Sequence, residues 1–579
     1  MRKVIDNKLK VMLLTVLVAM CGCGSHYTIR SGQAYFKHFT YEGCDSYFDS
    51  TLLTKGKMWN PILQGSHPGT SICRKGNDYY MASATFSMYP AIPIYHSTDL
   101  VNWELVNFAL PTEHQYLNSS LRSNEGIYPP TIRYNKERDL FYISGTFIGG
   151  GGHFIISAKD PAGTWSDPQY VFGLLGIHAT LFFDDNGKTY LIHQGDPTYE
   201  PPYDGFKVIY IQEFDLDNVC TVGERHVILE GGHDLAHRPG WLESPHMYKH
   251  EGYYYLSASE GGSLGMWFAS CIYRSESVFG PFERFEKNPN ITQRYLKRGP
   301  NQISCVGHAD YLELADGRWY VIFQGMREDE SNRNFMCKET FLLPVKWTDD
   351  GWPTVLEHNE PIPHIIDMPF AGTSYSQELR FIPHGNIVMD EHFYSDTLSR
   401  YWSFLRTPIG TAYYPNGDEG IVLPLEINNF RSVRHCGFLS LRVLNNKFSF
   451  GTVMDFKPET DHEFAGIAMF LGDRNTYQYG VTRVGERVVL RIQKSVLNQT
   501  LDKVVEADCD ITDNFGGRIC LNIDNYKNDY FTFKFRFNED DEWQTLADTL
   551  SVNYMNVNFP NNHAFTGDFI GVYGSQEED

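Results

Sequence analysis

The sequence predicts an all-β protein, a five-bladed β-propeller followed by a β-sandwich. Three observations predict it: a fivefold hairpin repeat, a later run of evenly spaced strands, and no long segment of sustained 3.6-residue periodicity. Each repeat is a short apolar strand, a turn rich in Gly, Asp, Asn or Lys, and an aromatic strand. The repeats begin at Thr70, Thr131, Thr180, Pro245 and Asp310. Each reads as a hairpin. A second strand pair follows it, as in IPIYHSTDLVNWELV or ETFLLPVKWTDDGWPTV, giving four strands per unit.

Taken in chain order, the first element is an export signal. Arg2, Lys3, Lys8 and Lys10 precede an apolar run from Val11 to Met20 that is too short to span a bilayer, and Cys21-Gly22-Cys23-Gly24-Ser25 follows. A cysteine just after such a run resembles a bacterial lipoprotein box. Cys23, behind Gly22, is the better lipid acceptor because Met20 is bulky for the place before Cys21. Residues 1–23 are thus expected to be a lipoprotein signal, placing the protein at the cell envelope, in the periplasm or on the outer-membrane surface. An ordinary cleaved signal peptide is the plainer alternative. Residues 24–57 read as an N-terminal extension, 58–365 as the propeller, 366–384 as a linker and 385–579 as the sandwich. Strands such as FSFGTVMDF, FAGIAMFLG, YQYGVTR and YFTFKFRF mark the sandwich, for which a jelly roll is a further description.

Composition narrows the partners. A net charge of −22 repels phosphate backbones and anionic headgroups, which argues against nucleic acid and leaves the lipid at Cys23 as the one membrane contact. Aromatic residues at 15% suit a sugar site, although most of them are expected to fill the β-core. The nine cysteines after residue 23 are scattered without CxxC spacing and indicate neither zinc nor a disulfide framework.

In a propeller the first strand of each blade lines the axis, so equivalent repeat positions meet in a ring at one mouth. Two residues before Ser71, Thr131, Thr180, Pro245 and Asp310 stand Gly69, Pro129, His178, Glu243 and His308. A plain structural ring would carry small or apolar residues there. Three ionisable groups at one offset nominate a site, although each alone is as readily a satisfied structural residue. Trp241, Leu242 and Pro245 surround Glu243 with apolar surface, a setting that keeps a proton on a general acid. His178, Glu243 and His308 also make a metal-ligand set, the weaker reading of the trio, and no metal is assigned.

At these residues the chain resembles glycoside hydrolase family 43, the β-xylosidase and α-L-arabinofuranosidase group. The likeness runs through MWNPILQGSHPGTSI, GIYPPTIRY, GIHATLFFDDNGKTYLI, LESPHMYKHEGYYYLSASEGG and GHADYLELADGRWYVIFQGMR, and then through LNNKFSFGTVMDF of a concanavalin-like C-terminal domain. The resemblance implies an inverting hydrolase with an Asp base, a pKa-tuning Asp and a Glu acid, acting on terminal arabinofuranosyl or xylosyl units of plant-type glycans. It implies no required cofactor and allows a structural calcium ion near the axis. Glu243 matches the acid. Gly69 stands where HPDPSI would supply the base, and His178 stands at the tuning position. Phe86, His308, Arg327 and Glu125 are expected to contact sugar.

Loss of a general base ordinarily costs on the order of 100-fold to 10,000-fold in rate. Three outcomes follow: another carboxylate (Glu125, Asp310, Asp45 or Asp49) reaches the water, neutral His178 serves as base, or the protein is a carbohydrate-binding pseudoenzyme. Restoring both carboxylates with Gly69→Asp and His178→Asp is expected to raise activity.

Overall fold

Each predicted hairpin forms the inner half of a separate antiparallel sheet. The computed structural model describes residues 29–577 apart from 113–119, 396, 498–499 and 560–561, so the expected export signal and Cys23 lie outside the described residues. The inner strands are Ser71–Lys75, Thr131–Asn135, Ile177–Phe183, Glu243–His250 and Ile303–Glu313. Each adjoins the next around the axis, and the fifth returns to the first, so the ring is closed. Burial explains the sequence pattern. Ile303–Glu313 is buried along all but its last residue, as a near-axial strand covered on both faces must be, whereas the outer strand Cys220–Glu230 is mostly exposed.

The ring closes beside residues 60–67. The Ile62 N–H donates to the Thr340 carbonyl at 2.8 Å and the His67 N–H to the Lys338 carbonyl at 2.7 Å, along blade five. Lys57–Trp59 pairs with Ile365–Asp367, so the expected linker begins as a strand that fastens the propeller.

The C-terminal half is a sandwich of two eight-stranded sheets whose facing sides meet through residues such as Phe450, Ile467, Tyr479, Leu521 and Phe533. The N-terminal extension is not a free segment. Gln33–Gly43 lies inside one sandwich sheet, paired with Phe448–Asp455 and Ile421–Pro424, and its Phe36, Phe39 and Tyr41 enter the sandwich core. The propeller in turn lends Met88–Tyr89 to the other sheet, against Ser403–Leu405. These exchanged strands bind the two halves together.

Candidate active site

The ring positions owe their aim to a shared backbone irregularity. Pairing slips between Ile177 and Thr180, between Glu243 and His246, and between Gly307 and Asp310, which are β-bulges at the mouth end of three inner strands. Gly69, His178, Ser244 and His308 have φ of +55°, +58°, +56° and +57°. Left-handed backbone at a non-glycine residue is costly, and its repetition around the axis marks a constrained site. The bulges bring His178 and Glu243 together, with His178 Nε2 3.4 Å from Glu243 Oε2, and set the His178 and His308 rings 5.3 Å apart.

These residues line a cavity of about 380 Å³ with Phe86, Tyr128, Trp241, Gln324, Lys338 and Phe565. Phe565 comes from the sandwich. Its ring stacks on Phe86 at 5.6 Å, and its backbone N–H donates to Asn124 Oδ1 at 3.1 Å. The pocket is therefore completed by the second domain. Glu243 is the one carboxylate among its described lining residues. Lys338 Nζ donates to Ser263 Oγ at 3.0 Å, and burial lowers its pKa.

Gly69 differs from the sequence expectation, because it is not among the residues that line the pocket, whereas Pro129 is. A Cβ built on Gly69 would lie 2.4 Å from both Cβ and Cγ of Pro129 and 2.9 Å from His308 Nε2, so the Pro129 ring fills the space where a side chain at 69 would start. The Gly69 N–H donates to Gln324 Oε1 at 3.0 Å, which leaves Gln324 Nε2 buried without a partner. Both ring nitrogens of His308 are likewise buried and unpartnered. Burial, reinforced by the neighbouring His178 and His246, holds the His308 pKa well below its ordinary value, so the ring is neutral. Unpaired buried polar groups on His308 and Gln324 beside Gly69 mark a place for water or a ligand hydroxyl.

Four expected candidates lie elsewhere. Asp310 is fully buried and saturated: two Arg133 nitrogens donate to it at 2.9 Å, Tyr248 Oη at 2.6 Å and Ser71 Oγ at 2.7 Å. Burial opposes its charge, yet Arg133 holds its pKa below the usual carboxylate range. Asp45 pairs with Arg327 and accepts backbone N–H groups of Asn446 and Lys447. Asp49 caps the short turn Ser50–Leu52. Glu125 does not line the pocket, and its carboxylate accepts the Arg122 N–H at 2.7 Å.

Arg327 is corrected most sharply. It is wholly buried, held by Glu339 at 3.0 Å and Asp45 at 2.5 Å against the rings of Tyr47 and Phe48, and it does not line the pocket. Side chains alternate along a strand, so within Trp319–Arg327 the residue three earlier, Gln324, faces the mouth instead. His178 cannot be the opposed base, because inversion needs acid and base roughly 6.5 to 9.5 Å apart and it touches Glu243. A calcium ion at the axis would need an oxygen shell completed by water. That cation takes oxygen ligands, whereas the axis presents imidazole nitrogens and the Arg133 guanidinium, with the Asp310 oxygens already engaged.

Sequence reasoning missed Gln324, Lys338, Tyr128 and Phe565. Gln324 carried a signal, a polar residue directly after the apolar run Val321–Phe323, and Phe565 carried none.

Comparison with known proteins agrees with this architecture. The family model described as Glycosyl hydrolases family 43 matches residues 58–353, and that described as Beta xylosidase C-terminal Concanavalin A-like domain matches residues 390–579. A Butyrivibrio fibrisolvens protein named xylosidase/arabinosidase is 32% identical over 75% of this chain and 81% of its own length. The Bacteroides ovatus non-reducing end alpha-L-arabinofuranosidase BoGH43B is 31% identical over 89% of this chain and 91% of its own. A crystal structure titled as a GH43_12 protein from a capybara gut metagenome superposes with a TM-score of 0.86 at 31% identity, covering 93% of this chain and 99% of that one.

Proposed function

The chain belongs to glycosyl hydrolase family 43, and on that premise we propose that it is an exo-acting glycoside hydrolase releasing a terminal arabinofuranosyl or xylosyl unit. Glu243 is the general acid, and the water is held beside Gly69 by His308 and Gln324 in place of a carboxylate. The relatives named as xylosidases and arabinofuranosidases support the substrate class. A pocket walled by Phe565 and Phe86 supports exo action.

The observation that carries the reading is the set of buried, unpartnered atoms beside Gly69: Nδ1 and Nε2 of His308 and Nε2 of Gln324. A neutral imidazole has one lone pair to accept a hydrogen bond from water, and the free Gln324 amide nitrogen donates to its oxygen. As water bonds to the anomeric carbon, Glu243 gives its proton to the departing glycosidic oxygen and the proton of the water passes to His308, from which it returns to solvent. An imidazole whose pKa is held this low is a weak base, so slow turnover is expected.

A second reading, a carbohydrate-binding pseudoenzyme, is favoured by Glu243 being the lone carboxylate among the described lining residues. Kinetics on aryl arabinofuranosides, aryl xylosides and arabinoxylan oligosaccharides, beside calorimetry with the same sugars, separates the two. Turnover that falls roughly 100-fold to 10,000-fold on oligosaccharides in Glu243→Gln supports hydrolysis. Binding without turnover at high protein concentration supports the pseudoenzyme.

The proposal also places the protein at the bacterial cell envelope through a lipid on Cys23, supported by the apolar run Val11 to Met20 before it. Cys23→Ser is expected to release the protein from the membrane fraction, and continued retention would contradict the anchor.

A further inference from the structure

A second constellation lies far from the pocket in sequence, on the outer side of the sandwich. The strand Gln33–Gly43 runs antiparallel to Val388–Glu391 with Thr40 opposite Asp390 and Phe39 opposite Glu391. Continuing that register sets His392 opposite His38. Two-residue spacing puts Asp390 and His392 on one side of their strand, and His38 shares the side of Thr40 on the other. Three metal-binding side chains from two strands are thereby gathered, and one ligand atom from each lies within 4.8 Å of the others.

Both imidazoles stand within ion-pair range of the Asp390 carboxylate, one on each of its oxygens. His38 Nδ1 is 3.4 Å from Asp390 Oδ1, and His392 Nε2 is 3.2 Å from Asp390 Oδ2. Charged N–H···O bonds close to about 2.7–2.9 Å. Ligands about 2.1 Å from a tetrahedral ion stand about 3.4 Å apart, so the three side chains, with one ligand atom from each within 4.8 Å of the others, need only small shifts to share one ion. The imidazoles flank the carboxylate with ring centres 5.2 Å apart, and Tyr394 stacks on His392 at 5.0 Å and 6°, bracing its ring. All three side chains reach solvent, so an ion has access and water can fill the remaining position.

We infer that His38, Asp390 and His392 form a binding site for a borderline divalent cation of the Zn²⁺ type, which clips the strand that precedes the propeller to the strand that begins the sandwich. Two imidazoles and one carboxylate select Zn²⁺, Ni²⁺ or Cu²⁺ over Mg²⁺ and Ca²⁺, which prefer all-oxygen shells. The clip fastens the points at which the chain enters and leaves the propeller, so its effect is on stability and not on catalysis.

Calorimetric titration of the full-length protein with Zn²⁺, repeated with His38→Gln, Asp390→Asn and His392→Gln, tests the site. The expected result is one equivalent bound with micromolar affinity in the native protein. Each variant should lose affinity by more than the roughly 10-fold to 100-fold typical of an outer-shell partner. Zn²⁺ should raise the unfolding temperature of the native protein alone, Mg²⁺ should not, and glycosidase activity should be the same in all four proteins. Co²⁺ bound at the site should give visible absorption of tetrahedral type, which a change in fold would not create. Equal Zn²⁺ binding by native protein and variants would assign the metal to other histidines or cysteines and overturn the proposal, as would no binding or equal affinity for Mg²⁺.

Discussion

Returning an aspartate to position 69 is the perturbation that bears most on the pocket. At 2.4 Å from two carbons of Pro129, the new Cβ would sit more than an ångström inside the usual 3.5–4.0 Å carbon contact. Over-packing of this kind typically costs about 1–3 kcal/mol, and the left-handed φ of +55° adds roughly 1–2 kcal/mol for a residue with a Cβ. Gly69→Asp, alone or with His178→Asp, is therefore expected to destabilise the propeller by about 2–5 kcal/mol and to gain little activity; for the double variant this runs contrary to the expectation from sequence. Adding Pro129→Gly removes both clashing carbons. That triple variant should recover much of the lost stability and raise kcat toward the 100-fold to 10,000-fold typically attributed to a general base. Urea unfolding and aryl pentoside kinetics on the series are the assay. A Gly69→Asp single variant with native stability and raised kcat would refute the reasoning, because Pro129 would then not be the obstruction.

Phe565→Ala removes a stacked ring from the sandwich side of the pocket, so KM should rise about 2-fold to 10-fold, the equivalent of 0.5–1.5 kcal/mol, with the fold intact by circular dichroism. Arg327→Leu leaves Asp45 and Glu339 buried without their cation, which should cost about 3–5 kcal/mol in chemical denaturation while KM of the folded fraction stays native. Burial depresses the pKa of His153 to about 3 and those of His193 and His246 to about 4, and it holds His308 lower still than its ordinary value. The unfolded chain, titrating near 6.5, binds more protons below that pH than the folded chain does. Stability is thus complete above about pH 6.5 and falls as the pH drops toward 4, by up to about 1.4 kcal/mol per unit for each such histidine. Thermal scans from pH 7 to 4.5 check this, and a flat unfolding temperature across that range would contradict it.

What the sequence made legible was what local pattern encodes. Five hairpins with their turns, and an axial offset holding His178, Glu243 and His308, follow from strand alternation and repeat alignment, since equivalent residues in a closed ring have equivalent positions. Whatever depended on pairing between distant segments stayed hidden. Gln33–Gly43 looks like an extension because its partner Phe448–Asp455 lies some four hundred residues on. Phe565 belongs to the pocket only because the sandwich docks on the propeller through Asn124. Arg327 shows a different limit. Motif position put it near the sugar, but strand parity turns it to the opposite side, where Asp45 from the N-terminal segment pairs with it. The filling of the Gly69 gap by Pro129 had no signature in either segment alone, because it arises only where blades one and two meet.

In the proposed mechanism Glu243 protonates the leaving group while water enters from the face lined by His308 and Gln324. The most direct test is proton NMR of the anomeric signal of the sugar first released by the native protein from an arabinofuranoside or xyloside. Inversion at the anomeric carbon is the predicted result. Release with retained configuration would require a covalent sugar intermediate, with Glu243, the one carboxylate among the described lining residues, as nucleophile and not as acid, and would contradict the account.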